Sequence, residues 1–228
     1  MNVENIVLGL YTVSIVFLLL SLFGLRRLFA LTWSWPFIFF KASLYILASL
    51  LCLLVAQQLS HFFPVFPDKP IVNISVNKLQ DNQYRLKVLD GNLTQIRNQS
   101  EPGQQGEVFL INGDQWLLEM RMLTWSPLLA ELGLKPLYKL ERLNGRYQNL
   151  EDEQRFPRSL YQLDKENFSY NYWQMLLPYL HGTVIHAYYG AAVYAPLTDA
   201  ALYGVFLNPG GVELKALNEE AKQALINW

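Results

Sequence analysis

Cysteine is almost absent from this 228-residue chain, and its single copy, Cys52, lies in an apolar stretch. The rest of the chain therefore forms no disulfide, holds no thiolate zinc and runs no CxxC redox chemistry. Histidine is nearly as scarce, at His61, His181 and His186. The last two are five apart, not at the i, i+4 spacing of H-E-x-x-H, so the sequence predicts neither a metal site nor a cofactor. A G-x-S-x-G elbow, S-x-x-K, a phosphate loop and a dinucleotide fingerprint are also missing. The expectation is a protein that is not an enzyme. Charge is sparse too, 16% of residues where soluble domains average about 25%. A net charge of -1 and a pI near 6.3 supply no basic footprint for nucleic acid.

What the chain has in quantity is hydrophobic residues, 52%, with 6 Trp, 13 Tyr and 13 Phe. Mean hydropathy is nevertheless only +0.12, too low for a chain held wholly in lipid. The charges explain this average, because Glu4, Arg26, Arg27 and Lys41 are the only four before His61. Residues 1–60 read as a transmembrane helical hairpin, with helices over about 6–25 and 37–56. Twenty uncharged residues at 1.5 Å each cross a hydrocarbon core about 30 Å thick. A cleaved signal peptide would want a basic n-region, whereas here the positive pair follows the apolar run.

Arg26, Arg27 and Lys41 flank the short connection between the helices. The basic-residue bias places that connection in the cytoplasm and both termini on the far side. Trp33 and Trp35 beside it fit an aromatic anchor, and Pro36 suits a first helical turn. Ser14 and Ser21 on one helix, and Ala48, Cys52 and Ala56 on the other, offer small faces for close packing. With no cysteine outside the hairpin, the periplasmic side of a bacterial inner membrane is favoured over a eukaryotic lumen.

Residues 61–70, with three prolines after Gln57, read as an interfacial exit and stiff linker. Residues 71–228 then read as a periplasmic β-rich domain. Val72, Ile74 and Val76 alternate with polar residues, as do Tyr84, Leu86 and Val88. Turns are expected at Asp90-Gly91, Asn112-Gly113 and Asn144-Gly145, with an exposed polar loop over 98–106. Residues 150–155 read as a short helix, 158–163 as a strand and 170–181 as a helix interrupted at Pro178. Residues 184–195, 201–207 and 212–216 read as a three-stranded meander, and Asn218 caps a last helix. The fold class is α+β: the hairpin, then a mainly antiparallel β domain with two or three helices.

Trp116, Leu118, Met120 and Met122 share one face of a strand, leaving Leu117, Glu119, Arg121 and Leu123 on the other. Glu119 with Arg121 and Glu141 with Arg142 read either as solvent-face ion pairs or as a polar docking patch. Trp116, Trp125 and Tyr138 join them as candidate binding residues, since aromatics and Arg are enriched in interface hot spots. Tyr188, Tyr189, Tyr194 and Tyr203 read as sheet residues or as the lining of an apolar pocket.

Gly113-Asp114-Gln115-Trp116, Leu140-Glu141-Arg142-Leu143 with Gly145-Arg146-Tyr147, and Tyr189-Gly190-Ala191-Ala192 with 195–200 carry a resemblance. The chain resembles small gammaproteobacterial inner-membrane proteins with two N-terminal transmembrane helices and a periplasmic domain, often labelled cation or multidrug efflux pumps. That label implies transport, yet neither helix has a central charge or a break. The function expected is a membrane-anchored periplasmic binding or adaptor module, with an accessory subunit of a transport or efflux assembly as the alternative. A periplasmic hydrolase ranks third. The expected partners are the lipid bilayer and another membrane or periplasmic protein.

Overall fold

The computed structural model describes residues 3–26, 35–66, 69–90, 106–163, 177–208 and 211–228. Arg27, Trp33, the 98–105 loop, the Pro209-Gly210 turn and the first part of the 170–181 helix lie outside them. Two antiparallel helices come first, α1 (Val3–Arg26) and α2 (Trp35–Leu59), each a few residues longer than the sequence predicts. Their spans Val3–Gly24 and Pro36–Leu59 have mean hydropathies of 2.6 and 2.3. Only 11% of each is buried within the protein, unlike the core helix of a soluble domain. Length, composition and exposure together support a membrane-anchored protein.

The helices meet along a seam of small residues seven apart, Ser14 and Ser21 against Ala42, Ser49 and Ala56, all buried. A seven-residue repeat keeps one stripe facing the partner helix. Small side chains let the backbones approach, so each serine hydroxyl reaches across. Ser14 Oγ donates to the Ser49 carbonyl at 3.0 Å, Ser49 Oγ returns the bond to Ser14 at 2.9 Å, and Ser21 Oγ donates to Ala42 at 3.2 Å. Of the expected α2 face only Ala56 is in the seam, with Ala48 and Cys52 half-buried beside it.

Beyond the hairpin the described residues form two five-stranded antiparallel sheets. Their strands are β1 (Phe63–Pro64), β2 (Val72–Gln80), β3 (Gln83–Asp90), β4 (Glu107–Asn112), β5 (Gln115–Trp125), β6 (Leu137–Arg146), β7 (Leu160–Gln162), β8 (Ile185–Pro196), β9 (Leu202–Asn208) and β10 (Gly211–Ala216). Sheet I runs β1-β6-β5-β8 with β7 also on β6, and sheet II runs β10-β9-β2-β3-β4. Short helices α3 (Pro127–Glu131), α4 (Leu150–Arg155) and α5 (Glu219–Ile226) complete the fold, and residues 177–180 are helical around Pro178.

The alternating apolar residues of both sheets enclose one core. Val72, Ile74, Val76, Leu86, Tyr203 and Val205 of sheet II face Trp116, Leu118, Met120, Tyr138 and Val193 of sheet I. Trp116 and Tyr203 meet at its centre, ring centroids 5.7 Å apart. Asn218 caps α5 by accepting from Ala221 N at 3.0 Å, and its amide also binds Leu202 N and the Ala200 carbonyl.

Several turns differ from expectation because strands cross between sheets. Asn112-Gly113 is not a hairpin turn: β4 pairs with β3, while β5 pairs with β6 and β8. Either arrangement buries one face of each strand, so alternation alone cannot distinguish them. The meander divides likewise, since β8 joins sheet I and only β9 and β10 pair with each other. Asp90-Gly91 does not close a tight hairpin either, because Val88 pairs with Glu107 across the 91–106 connection. The tight turn is Asp81-Asn82, where Asn82 takes φ 59, a left-handed conformation asparagine tolerates. Asn144-Gly145 lies inside β6, and Gly145 is needed because β4 runs against it there.

The expected linker is partly structural. Phe63 and Pro64 pair with Tyr138 and Leu137, and Phe62 and Val65 are buried. Val3 of α1 and Leu59 of α2 join Phe62, Leu123, Trp125, Leu137 and Ile185 in a second buried cluster. The ends of the hairpin and the base of sheet I thus share a core.

Two glycines in sheet I give a stability test. A Cβ at Gly145 would collide with the Asn112 carbonyl, whereas one at Gly190 would meet open space. Gly145→Ala should cost about 1–3 kcal/mol, and Gly190→Ala should be neutral or stabilise by up to about 1 kcal/mol, read by denaturant unfolding. Burial gives a second test, because it raises the Tyr203 hydroxyl to about 12. The folded state then holds this proton more tightly than the unfolded chain, whose tyrosine ionises near pH 10. Stability should fall as pH rises from about 10 and level off beyond about 12. Thermal unfolding of Tyr203→Phe should lack that share of the alkaline loss.

Candidate functional site

The seven candidate residues fall into three places. Trp116 and Tyr138 are fully buried in the sandwich core, on the inward parity of their strands. Trp125 belongs to the junction beneath sheet I, where its indole donates to the Lys135 carbonyl at 2.8 Å. Only Glu119, Arg121, Glu141 and Arg142 come together, on the outward face of sheet I.

A bulge in β6 makes that meeting possible. Glu119 pairs with Arg142 and Met120 with Leu140, so Glu141 is an extra residue in its strand. Bulges re-aim side chains, and Glu141 here receives Arg121 Nε at 2.8 Å. Arg142 binds Glu119 Oε2 at 2.6 Å, and Asn144 donates to Glu119 Oε1 at 2.8 Å. The Arg121 guanidinium also lies 5.6 Å from the ring centre of Tyr188 on β8. The hydrogen bond to Glu141 holds its pKa above the usual guanidinium value.

The four charged side chains are 23–52% exposed, so the band is open to solvent while its carboxylates are half-covered. Among the described residues, Asn144 Oδ1 is buried without a hydrogen-bond partner. Together these groups make an ordered polar strip with donors and acceptors of both signs, suited to docking a polar or charged surface. Sequence reasoning missed Asn144, whose role depends on sharing the outward face with Glu119. The four tyrosines do not line one pocket: Tyr203 is core, Tyr188 lies under Arg121, and Tyr189 and Tyr194 are 42% and 47% exposed.

Next to the strip, β8 is the edge of sheet I. It pairs with β5 over Ile185–Pro196, and among the described residues no second ladder covers its other side. It carries no charged residue between His186 and Pro196. A long uncharged edge is a template for strand addition. Elsewhere, an open groove of 590 Å³ lies between α5 and the β8–β9 crossing, lined by Asp199, Glu219, Glu220, Gln223 and Trp228 among others. Its acids have structural duties: Asp199 accepts Lys78 N at 2.7 Å, and Glu219 and Glu220 sit in the first turn of α5, where the helix dipole favours them. No group of three or more His, Cys, Asp or Glu able to hold a metal occurs among the described residues. Glu153, in the first turn of α4, is bound by Arg158 at 2.5 Å and by Tyr147 N at 2.7 Å.

The shared acceptor makes the two pairs unequal. Glu119→Ala should destabilise by about 1–2 kcal/mol because it strands both Arg142 and Asn144. Arg142→Ala should cost under about 1 kcal/mol. A double-mutant cycle on Arg121 and Glu141 should give a coupling of about 1 kcal/mol that shrinks in high salt. All three are read from denaturant unfolding of the full chain in detergent.

No protein-family model matches this chain, and no curated protein or solved structure matches it either.

Proposed function

We propose that this protein is a non-enzymatic, membrane-anchored binding or adaptor module, its β-sandwich held at the periplasmic face of a bacterial inner membrane. The observation that carries this reading is the outward face of sheet I. There a paired strip of Glu119, Arg121, Glu141 and Arg142 borders β8, an edge strand that among the described residues has a ladder on one side only. A partner adding a strand to β8 would extend sheet I and lay its side chains beside that strip. The Arg–carboxylate pairs hold their side chains in place before a partner arrives, which lowers the ordering cost of binding.

Orientation follows from charge. In sequence Arg26, Arg27 and Lys41 flank the connection between the helices, which favours the cytoplasm for it, and the sandwich is joined to the opposite end of the hairpin. Both termini are then periplasmic, and the partner is another membrane or periplasmic protein.

Site-specific photocrosslinking in native membranes tests this. Probes at Tyr189 and Arg142 should yield a discrete adduct and one at Asn77, on sheet II, should not. Arg121→Glu with Glu141 intact should weaken the adduct about tenfold, the cost of about 1.4 kcal/mol at one disrupted charge contact. Uniform labelling at all three sites, or a C-terminal reporter active in the cytoplasm, would overturn the reading. An adduct that proves to be a transporter would turn it toward the accessory-subunit alternative.

A further inference from the structure

The base of the sandwich carries apolar side chains that the fold leaves uncovered. α3 follows Trp125 directly; Leu129 and Leu134 from its segment pack on the junction cluster, yet Leu128 and Leu132 are each 69% exposed. The helical residues 177–180 repeat the pattern. Leu177 and Leu180 pack on the same cluster, and Tyr179 is 80% exposed. Ser126 N donates to the Val184 carbonyl at 2.9 Å, tying the α3 segment to the one that follows residues 177–180.

The depth of this rim can be read from the hairpin. With Arg26 at one boundary of the hydrocarbon, about twenty residues of helix reach the other boundary, near Ile6. Ile6, Val7 and Leu10 pack on the same cluster as Leu129, Leu134, Leu177 and Leu180. From Lys41, about twenty residues of α2 reach a little past Leu59, which is in the cluster as well. Both helices therefore put the junction, and the segments around it, at the boundary between headgroups and acyl chains. Lys135 stands 3.9 Å over the Phe66 ring beside this base, with an apolar stem and a charged tip that suit a headgroup layer.

We propose that the base of the β-sandwich is a second membrane-contacting surface, with Leu128, Leu132 and Tyr179 inserted among the lipids around the hairpin. The assignment rests on the membrane-anchored reading above. Its occupant is the bilayer, because the rim is continuous with the hairpin ends and lies at their depth. Exposed leucines on a short helix and a tyrosine at the polar boundary are the side chains that such a layer accepts. The contact would add to the junction core in fixing the tilt of the sandwich and the height of its outward face.

Spin labels on the full chain in phosphatidylethanolamine–phosphatidylglycerol nanodiscs, in a Cys52→Ala background, test this. The labelled variants are Leu128→Cys and Leu132→Cys, with Leu150→Cys as the reference, because Leu150 is 70% exposed and lies in α4 beyond the other end of β6. A label at Leu19→Cys, 57% exposed in mid-α1, reports on the anchor. The expected result is that labels at 19, 128 and 132 collide about fivefold less with a water-soluble nickel chelate than the label at 150, and more with oxygen. If 128 and 132 match 150 while 19 is protected, the proposal fails and the anchor stands. If 19 is open to the chelate, the anchor reading fails first. Protection of 128 and 132 only in discs holding two copies, with dipolar broadening, would assign the rim to a second copy and overturn the lipid contact.

Discussion

The shared core of Val3, Leu59, Phe62, Leu123, Trp125, Leu137 and Ile185 is the constraint on which the rest depends. Fully burying a leucine, isoleucine or phenylalanine is worth about 1.5–3 kcal/mol, and these residues come from both membrane helices, the exit segment and three strands. None of the contributors buries these side chains alone. Truncating Leu123 would therefore loosen the base of sheet I and the seating of the hairpin together. The closely packed serine seam within the hairpin has a matching consequence, since it presents the two helix ends as one rigid footing.

That footing sets where the outward face of sheet I lies. β5 leaves the junction at Leu123 and passes Arg121 and then Glu119 on the same face, roughly 7 and 13 Å further along at 3.3 Å per residue. Leu123 is fully buried although it shares the parity of those charged residues, because the hairpin ends cover it. One strand face thus changes from core to solvent-facing polar strip within a single alternation, the change being made by what the membrane helices reach.

Much of this was legible in the sequence because alternation and charge are local signals. From Trp116 to Met122 the even residues of β5 are core and the odd ones half-buried, as the alternation implies, and the pattern breaks at Leu123, where the hairpin ends add a second core. The hairpin follows from the first sixty residues holding only four charges. What alternation omits is the identity of the partner strand. Asn112-Gly113 has the residues of a tight turn, yet it carries the chain from sheet II to sheet I, and Gly145 serves a close backbone approach where a turn was expected. The candidate site divides for the same reason. Glu119, Arg121, Glu141 and Arg142 converge through a bulge that no pattern announces, while Trp116 and Tyr138 lie near them in sequence and on the opposite side of the sheet.

Height above the junction restricts what can dock. The headgroup layer on each side of a bilayer is about 7 Å deep, half the difference between the full thickness and the hydrocarbon core. At the membrane depth proposed for the junction, with β5 rising steeply from it, Arg121 would stand near the outer limit of the headgroups and Glu119 and Arg142 just beyond it. On that proposal a soluble partner approaching from the side would have to pass close over lipid to reach the strip. A partner that is itself anchored already has its segments at this height, and shared confinement to the membrane raises its effective concentration without any new contact. Under the proposed adaptor role, weak, half-exposed ion pairs and an open strand edge would then suffice for recognition, the regime in which the modest energies of the Arg121–Glu141 and Arg142–Glu119 pairs matter most.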